Sequence, residues 1–416
     1  MRKLSILLYC TLLCACSRGT VGTMPIALDS SGTVSASRAS HVANAFTFLY
    51  SFKNVPDGQN PYAGLLDMNG TLYGTTSYGG AHNLGAVFEL TPGSEKVLYS
   101  FKGGSDGSIP WAGLIDVGGA LYGTTSSGGG TSCYNGYSGC GTVFKLTSTG
   151  EETILFRFQG GSDGAFPLGG LVDVRGTLYG TTNGGGGGPC DGGYGCGTVF
   201  NLTGTGTETI LHRFKSGSAD GAFPIAGLIY DKDSFYGTTT GGGSNCDHGT
   251  GCGTVFKITQ SGTESVLHRF AAASDGTTPY AGLTDIGGVL YGATAVGGTG
   301  GGGTIYKITR SGAESVVYSF KGGGDGGGPR AAPISVDGAL YGTTQYGGTN
   351  NLGTIFKISP SGVESVLYSF TGASDGEIPY AGLINVSGAL FGTAFRGGVG
   401  NGTVFGFSLL HQRLLR

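Results

Sequence analysis

Charge is scarce in this 416-residue chain: Asp, Glu, Lys and Arg together make up 12 % of it. The formal net charge is −3 and no basic stripe or run occurs, so a nucleic-acid-binding surface has no electrostatic support. There are only one tryptophan, three methionines and 13 prolines. Little proline, and no glycine at every third position, excludes a collagen helix. A disordered chain would lack aromatics, and 21 Tyr with 22 Phe exclude that class. The one long apolar run, Leu4 to Leu13, is too short to span a bilayer as a permanent helix. What the chain has in excess is glycine, at 88 residues. An interior glycine costs a helix about 1 kcal/mol, so a mainly helical protein is excluded. An all-β chain with many tight turns remains.

The N-terminus reads as an export signal. Arg2 and Lys3 precede the apolar run, which ends Leu13-Cys14-Ala15-Cys16. This end is similar to a bacterial lipoprotein signal, with Cys16 as the lipidated residue; cleavage without lipidation is the alternative. Residues 17–45, rich in Ser, Thr, Ala and Gly, read as a flexible tether to a membrane anchor, with the outer membrane favoured.

One pattern fills the rest. A Leu-Tyr-Gly-type element recurs at Tyr73, Tyr122, Tyr179, Tyr236, Tyr291 and Tyr341, and as Phe391, every 49 to 57 residues. An Asp-Gly element recurs at Asp57, Asp106, Asp163, Asp220, Asp275, Asp325 and Asp375. Each copy holds four short apolar runs bounded by turn residues, the pattern of strands. They are labelled A (Ala-Gly-Leu), B (Leu-Tyr-Gly-Thr-Thr), C (Gly-Thr-Val-Phe-Lys) and D (Val-Leu-Tyr-Ser-Phe). Seven copies of four strands predict an all-β, kelch-like, seven-bladed β-propeller over 46–408, followed by a tail at 409–416. The chain enters on a D-type strand at Phe46–Phe52 and leaves on a C-type strand at Gly402–Phe405. The first strand therefore completes the last blade, which removes an exposed edge. The Leu-Tyr-Gly glycines are expected to permit close packing near the axis.

The Leu-Tyr-Gly-Thr-Thr, Gly-Gly, Gly-Thr-Val-Phe-Lys and Ser-Gly-x-Glu elements resemble those of the GloVer (Gloeo/Verruco) tandem-repeat family of exported bacterial proteins. The resemblance covers about residues 46–408. It implies export and a repeat domain, and it assigns neither substrate nor activity. Departures occur at Gly85-Ala86-Val87-Phe88, at Arg330-Ala331-Ala332-Pro333 and at Phe391.

Features present in all copies read as scaffold. The Asp-Gly turns lack the several acidic ligands that calcium takes. Lys145, Lys257, Lys307 and Lys357 on strand C are expected to pair across strands with the Glu before strand D, as at Glu264, Glu314 and Glu364. Such a solvated pair contributes about 1 kcal/mol at most. No cofactor and no metal site is implied: the six histidines are scattered.

Features that differ between copies carry the functional information. Three copies hold a cysteine pair between strands B and C: Cys133/Cys140, Cys190/Cys196 and Cys246/Cys252. In an exported protein these read as local disulfides, each worth about 2 kcal/mol in the chain-entropy model; zinc is the alternative. The B–C and D–A loops emerge on one face. Candidate binding residues there are Trp111, Tyr134, Tyr137, Asp191, Tyr194, Asp247 and His248. Such aromatic and polar side chains suit stacking on sugars or docking a peptide. Arg157, Arg213 and Arg269 form either a basic arc or blade-to-blade packing with an extended Arg stem.

These features predict an anchored, monomeric binding or adhesion module, with a glycan, peptide or protein as ligand. No paired carboxylates, nucleophile elbow or histidine cluster marks a catalytic centre. A polysaccharide hydrolase or lyase on the same face, and a purely structural envelope protein, are the alternatives.

Overall fold

The computed structural model describes residues 46–409, apart from 131, 134–137, 245 and 247–250. It contains seven four-stranded antiparallel sheets. In blade 2, strand A is Ile115–Val117, B is Ala120–Thr125, C is Thr142–Leu146 and D is Glu152–Arg157. Blade 1 spans 66–100, and blades 3 to 6 span 172–213, 229–269, 284–319 and 334–369. Blade 7 has three strands within 384–408 and takes its fourth, Phe46–Ser51, from the other end of the chain. Phe46 lies opposite Phe407, Phe48 opposite Phe405 and Ser51 opposite Thr403. The closure read from the termini is therefore the one the protein uses.

Strand A differs from the expectation. The Ala-Gly-Leu run is not itself a strand; the paired residues are the three that follow it, as Ile115–Val117 follow Leu114. The Ala-Gly-Leu segments pack around the axis instead. A Cβ on Gly113 would lie 3.3 Å from the Gly64 carbonyl oxygen, and one on Gly64 would lie 3.4 Å from that of Gly382. These glycines, not those of Leu-Tyr-Gly, are the ones crowded at the centre. The Leu-Tyr-Gly glycine serves the blade interior: a Cβ on Gly123 would come within 2.7 Å of Phe144 Cζ. Its missing side chain lets the strand C ring lie flat across strand B.

Two devices join each blade to the next. The first is aromatic. The Phe that ends strand D meets the ring of the next blade's strand C edge to face, as Phe101 meets Phe144 and Phe158 meets Phe200. The pair occurs at all seven junctions, with centroids 5.0 to 5.2 Å apart, including Phe52–Phe88 and Phe370–Phe405 beside the closing strand. Each pair adds about 1 kcal/mol beyond its buried area. The second device is a hydrogen bond. The first Thr of strand B donates to a carbonyl of the next blade's Ala-Gly-Leu segment, as Thr238 does to Ala281 and Thr393 does to Ala63. Blade 5 carries Ala293 at this position, packed against the cluster that includes Ala332 of blade 6.

Ring closure by identical contacts makes a stability prediction. Thr238→Ala, inside the ring, and Thr393→Ala, at its seam, each remove one such bond from a buried carbonyl. Both are expected to destabilise the fold by about 1–2 kcal/mol, measured by denaturant unfolding. A negligible loss at Thr393 alone would show that the seam is not held like the other junctions.

Candidate binding face

The D–A and B–C loops meet on one face. Gly107–Ser108 pairs with Ser127–Gly128, and Gly221–Ala222 with Gly241–Gly242. The B–C loops of blades 2, 3 and 4 carry the disulfides Cys133–Cys140, Cys190–Cys196 and Cys246–Cys252. The inner cysteine of each pair, Cys140, Cys196 and Cys252, is buried in an inter-blade cluster. The stapled loops are thus bolted to the core, and the disulfide reading of the spacing holds.

The repeated Asp is a capping residue. Asp106 accepts hydrogen bonds from the amides of Lys102 and Gly107 and from the Tyr99 hydroxyl at 3.0 Å. Tyr50, Tyr318 and Tyr368 donate in the same way to Asp57, Asp325 and Asp375. Burial, then the neighbouring carboxylate, pushes these four phenols well above the usual tyrosine range. Two blades replace Tyr by His: His212 Nε2 lies 3.2 Å from Asp220 Oδ2, and His268 Nε2 lies 2.7 Å from Asp275 Oδ2. Burial opposes ionisation of Asp275, but the His268 bond and the Ala271 amide outweigh it, and its carboxyl falls below the usual range. Blade 2 carries Phe156 instead. Its partner Asp163 keeps a buried Oδ1 without a hydrogen-bond partner, and burial raises that carboxyl. A tyrosine seven residues before the Asp was the sequence signal for this cap.

The expected Lys–Glu partners are out of register across the strands. Lys257 lies opposite Ser265, while Glu264 lies opposite Ile258. Lys145, Lys257 and Lys357 instead lie over the strand B tyrosines Tyr122, Tyr236 and Tyr341, 5.7 to 5.9 Å from the ring centroids. A C–D pair does form in blade 1 with the charges exchanged, Glu89 to Lys96 at 3.5 Å. The Glu side chains turn into the junction towards the capping Asp. Glu95, Glu152, Glu208, Glu264, Glu314 and Glu364 each bury an Oε1 with no hydrogen-bond partner. Burial first, and the nearby Asp second, raises Glu95, Glu152, Glu208 and Glu264 to about 7. Glu364 is raised to the same value by burial and Asp325.

The residues after the D–A prolines form a rim with two characters. Trp111 stacks on Tyr62 at 4.3 Å, and Tyr62 on Tyr380 at 5.2 Å. The Arg330 guanidinium lies 4.2 Å from the Tyr280 ring and 5.1 Å from that of Tyr380. Gln345 fixes this arrangement, accepting from Arg330 Nε at 2.5 Å and donating to the Tyr380 hydroxyl at 3.2 Å. Burial and the neighbouring tyrosines push the Tyr62 phenol up to about 12. Blades 5, 6, 7, 1 and 2 therefore contribute one continuous stack, and blades 3 and 4 contribute Leu168 and Ile225. Where the aromatic part meets the stapled loops there is a cleft of about 610 Å³, lined by Tyr280, Thr278, Val296, Cys246 and Gly251 among others.

Of the residues singled out from sequence, Trp111 stands in the aromatic stack. Tyr194 is exposed at the end of a single 3-10 turn, Cys190–Gly193, which also holds the backbone of Asp191; the Asp191 side chain lies outside the described residues. Tyr134, Tyr137, Asp247, His248 and Cys16 also lie outside them. Arg157, Arg213 and Arg269 make the blade-to-blade contacts that were one of their two readings. Their Nε atoms donate to the carbonyls of Ser105, Ser162 and Ser218 across the junctions. The sequence pointed to Trp111 and the variable position after the proline. It did not reveal that these side chains touch in sequence round the axis.

These features define a closed seven-bladed β-propeller with a stapled, partly aromatic loop face. The chain belongs to the Gloeobacter/Verrucomicrobia repeat family, whose repeat matches residues 22–250 and 187–405. No curated protein matches the sequence. Among solved structures, puromycin hydrolase is similar at 13 % identity and a TM-score of 0.50, over 84 % of this chain and 53 % of that one. The chain thus spans about half the length of that enzyme. A gluconolactonase from Xanthomonas campestris is 12 % identical with a TM-score of 0.39, over 64 % of this chain and 78 % of that one. A luciferin-regenerating enzyme is 13 % identical with a TM-score of 0.39, over 85 % and 92 %. At such identities the likeness is one of fold.

The caps and the buried Glu residues make two predictions. Phe156→Tyr supplies the donor that Asp163 lacks and is expected to stabilise the fold by about 1 kcal/mol in chemical denaturation. An unchanged midpoint would show that Asp163 is satisfied without it. For the Glu residues, the raised folded pKa means that the folded chain binds protons more tightly than the unfolded one. The stability this provides is complete below the ordinary value of 4.5 and is lost as pH rises to about 7. The melting temperature should fall from pH 5 to pH 8, and Glu152→Gln should flatten that fall. An equally steep fall in the variant would contradict the assignment.

Proposed function

We propose that this propeller is an exported binding module whose ligand lies along the cleft between the Cys246–Cys252 loop and Tyr280 and on the aromatic stack beyond it. The observation that carries this reading is the unbroken series Tyr280–Arg330–Tyr380–Tyr62–Trp111, fixed by Gln345 beside that cleft. Ordered aromatic faces with a cation among them suit a glycan, whose apolar ring faces stack and whose hydroxyls or carboxylates accept hydrogen bonds. Side chains already held by neighbours lose little entropy on binding. The capping carboxylates of this face are engaged by loop amides, which favours binding over hydrolysis on it.

Three disulfides mark an oxidising, extracytoplasmic compartment. Among the described residues, no helix is long and apolar enough to cross a membrane. A lipid anchor at Cys16, with 17–45 as tether, is part of the same proposal.

A panel of soluble polysaccharides and oligosaccharides tests the reading by calorimetry. The expected result is binding that weakens about tenfold in Trp111→Ala and in Tyr280→Ala. Absence of binding across the panel, or wild-type affinity in both variants, would overturn the glycan assignment.

A further inference from the structure

We infer that two of the blade junctions are binding sites for a divalent transition-metal ion, built from His268, Asp275 and Glu314 at one and His212, Asp220 and Glu264 at the other. In each group the imidazole nitrogen and the two carboxylate oxygens all lie within 4.8 Å of one another. One ion can therefore be reached by all three. The donor set mixes one neutral nitrogen with two anionic oxygens, which suits zinc and its first-row neighbours more than calcium or magnesium. The Oε1 atoms of Glu314 and Glu264 are buried and have no hydrogen-bond partner, as are those of Glu95, Glu152, Glu208 and Glu364, so the carboxylate ligand recurs along the repeat and the histidine is what distinguishes these two junctions.

The repeat supplies its own control. Four other junctions have the same Asp and cap it with a tyrosine hydroxyl, which fills the position with a donor. Only where His stands in its place does the cap become a lone-pair donor once deprotonated, and only there, among the described residues, are three such ligands grouped. The Asp keeps its loop amides in both cases, as Asp275 does with Ala271 and Asp220 with Lys215 and Gly221. Metal binding displaces the proton shared between His and Asp and needs no change in loop path. The two sites are not equal. Arg269 ends the strand that Glu264 begins, and its charge acts on Glu264; blade 5 has the neutral Ser319 at the matching position beside Glu314. The junction of His268 is therefore the tighter site.

The test uses the untagged exported protein with its disulfides intact, titrated with zinc at pH 7.5. Calorimetry is expected to show two ions bound per chain. His268→Tyr should remove the tighter site, and His212→Tyr with His268→Tyr should remove both. These variants recreate a cap the protein already uses, so they should keep the wild-type melting temperature in the absence of metal. Glu314→Gln should weaken the tighter site about tenfold or more. Electron paramagnetic resonance of the copper(II) form should show coupling to one imidazole nitrogen per ion, a signature independent of how the variants fold. Equal zinc uptake by the double His→Tyr variant, no uptake by the wild type, or a copper spectrum without imidazole nitrogen would each overturn the inference.

Discussion

At each blade junction an aromatic ring from the end of strand D stands edge-on against a ring of the next blade, and the rest of the molecule is arranged to permit that contact. The strand C ring can lie where it does only because strand B has glycine beneath it, as Gly123 lies beneath Phe144. The D–A loop must turn immediately after the Phe, and the Asp cap, bonded to the loop amides and in six blades facing a Tyr or His, fixes that turn. The Ala-Gly-Leu segment then reaches the axis and receives the threonine hydroxyl of the preceding blade. Seven repetitions close because the first strand supplies the last blade's outer edge. No blade is left with strand C as its edge, which is how closure limits edge-to-edge association.

A scaffold this repetitive leaves variation to the loops. The stapled loops of blades 2 to 4 and the aromatic stack of blades 5 to 2 share one face because alternate turns of an antiparallel blade emerge together. Rigidity comes from the core below: the buried cysteines are packed among the inter-blade residues, and the rim tyrosines hold one another in place. Binding residues on loops carried by a stiff frame lose little freedom when a ligand arrives. The carboxylates tell a related story. The Asp residues are engaged by amides, and the Glu residues are turned inwards to a junction where burial and a second carboxylate oppose their charge. The proposed metal sites arise where a single change, Tyr to His, converts that repeated arrangement from a hydrogen-bond donor into a ligand set.

Much of this was legible in the residues themselves. The period of about 50 residues, four apolar runs per copy and the phase of the two ends determined the blade number and the closure. The cysteine pairs were legible because each falls inside one loop, so no long-range geometry was needed to join them. Strand A was misplaced by three residues because Ala-Gly-Leu has strand-like composition but meets the axis and pairs with no neighbouring strand. The Lys–Glu pairing failed because the turn between strands C and D sets Glu264 against Ile258, one residue beyond Lys257, so the two side chains lie on opposite faces of the sheet.

Local patterns have a local cause, and the sequence by itself determined what depends on them: strand period, turn chemistry, loop staples and repeat count. What joins one blade to the next depends on side chains about 50 residues apart meeting across a junction. Only the tertiary structure could bring Glu264 to His212 and Asp220, set Arg330 between Tyr280 and Tyr380, and turn Arg157 to the carbonyl of Ser105. Each of those contacts joins residues of different blades, so each depends on how one sheet packs against the next.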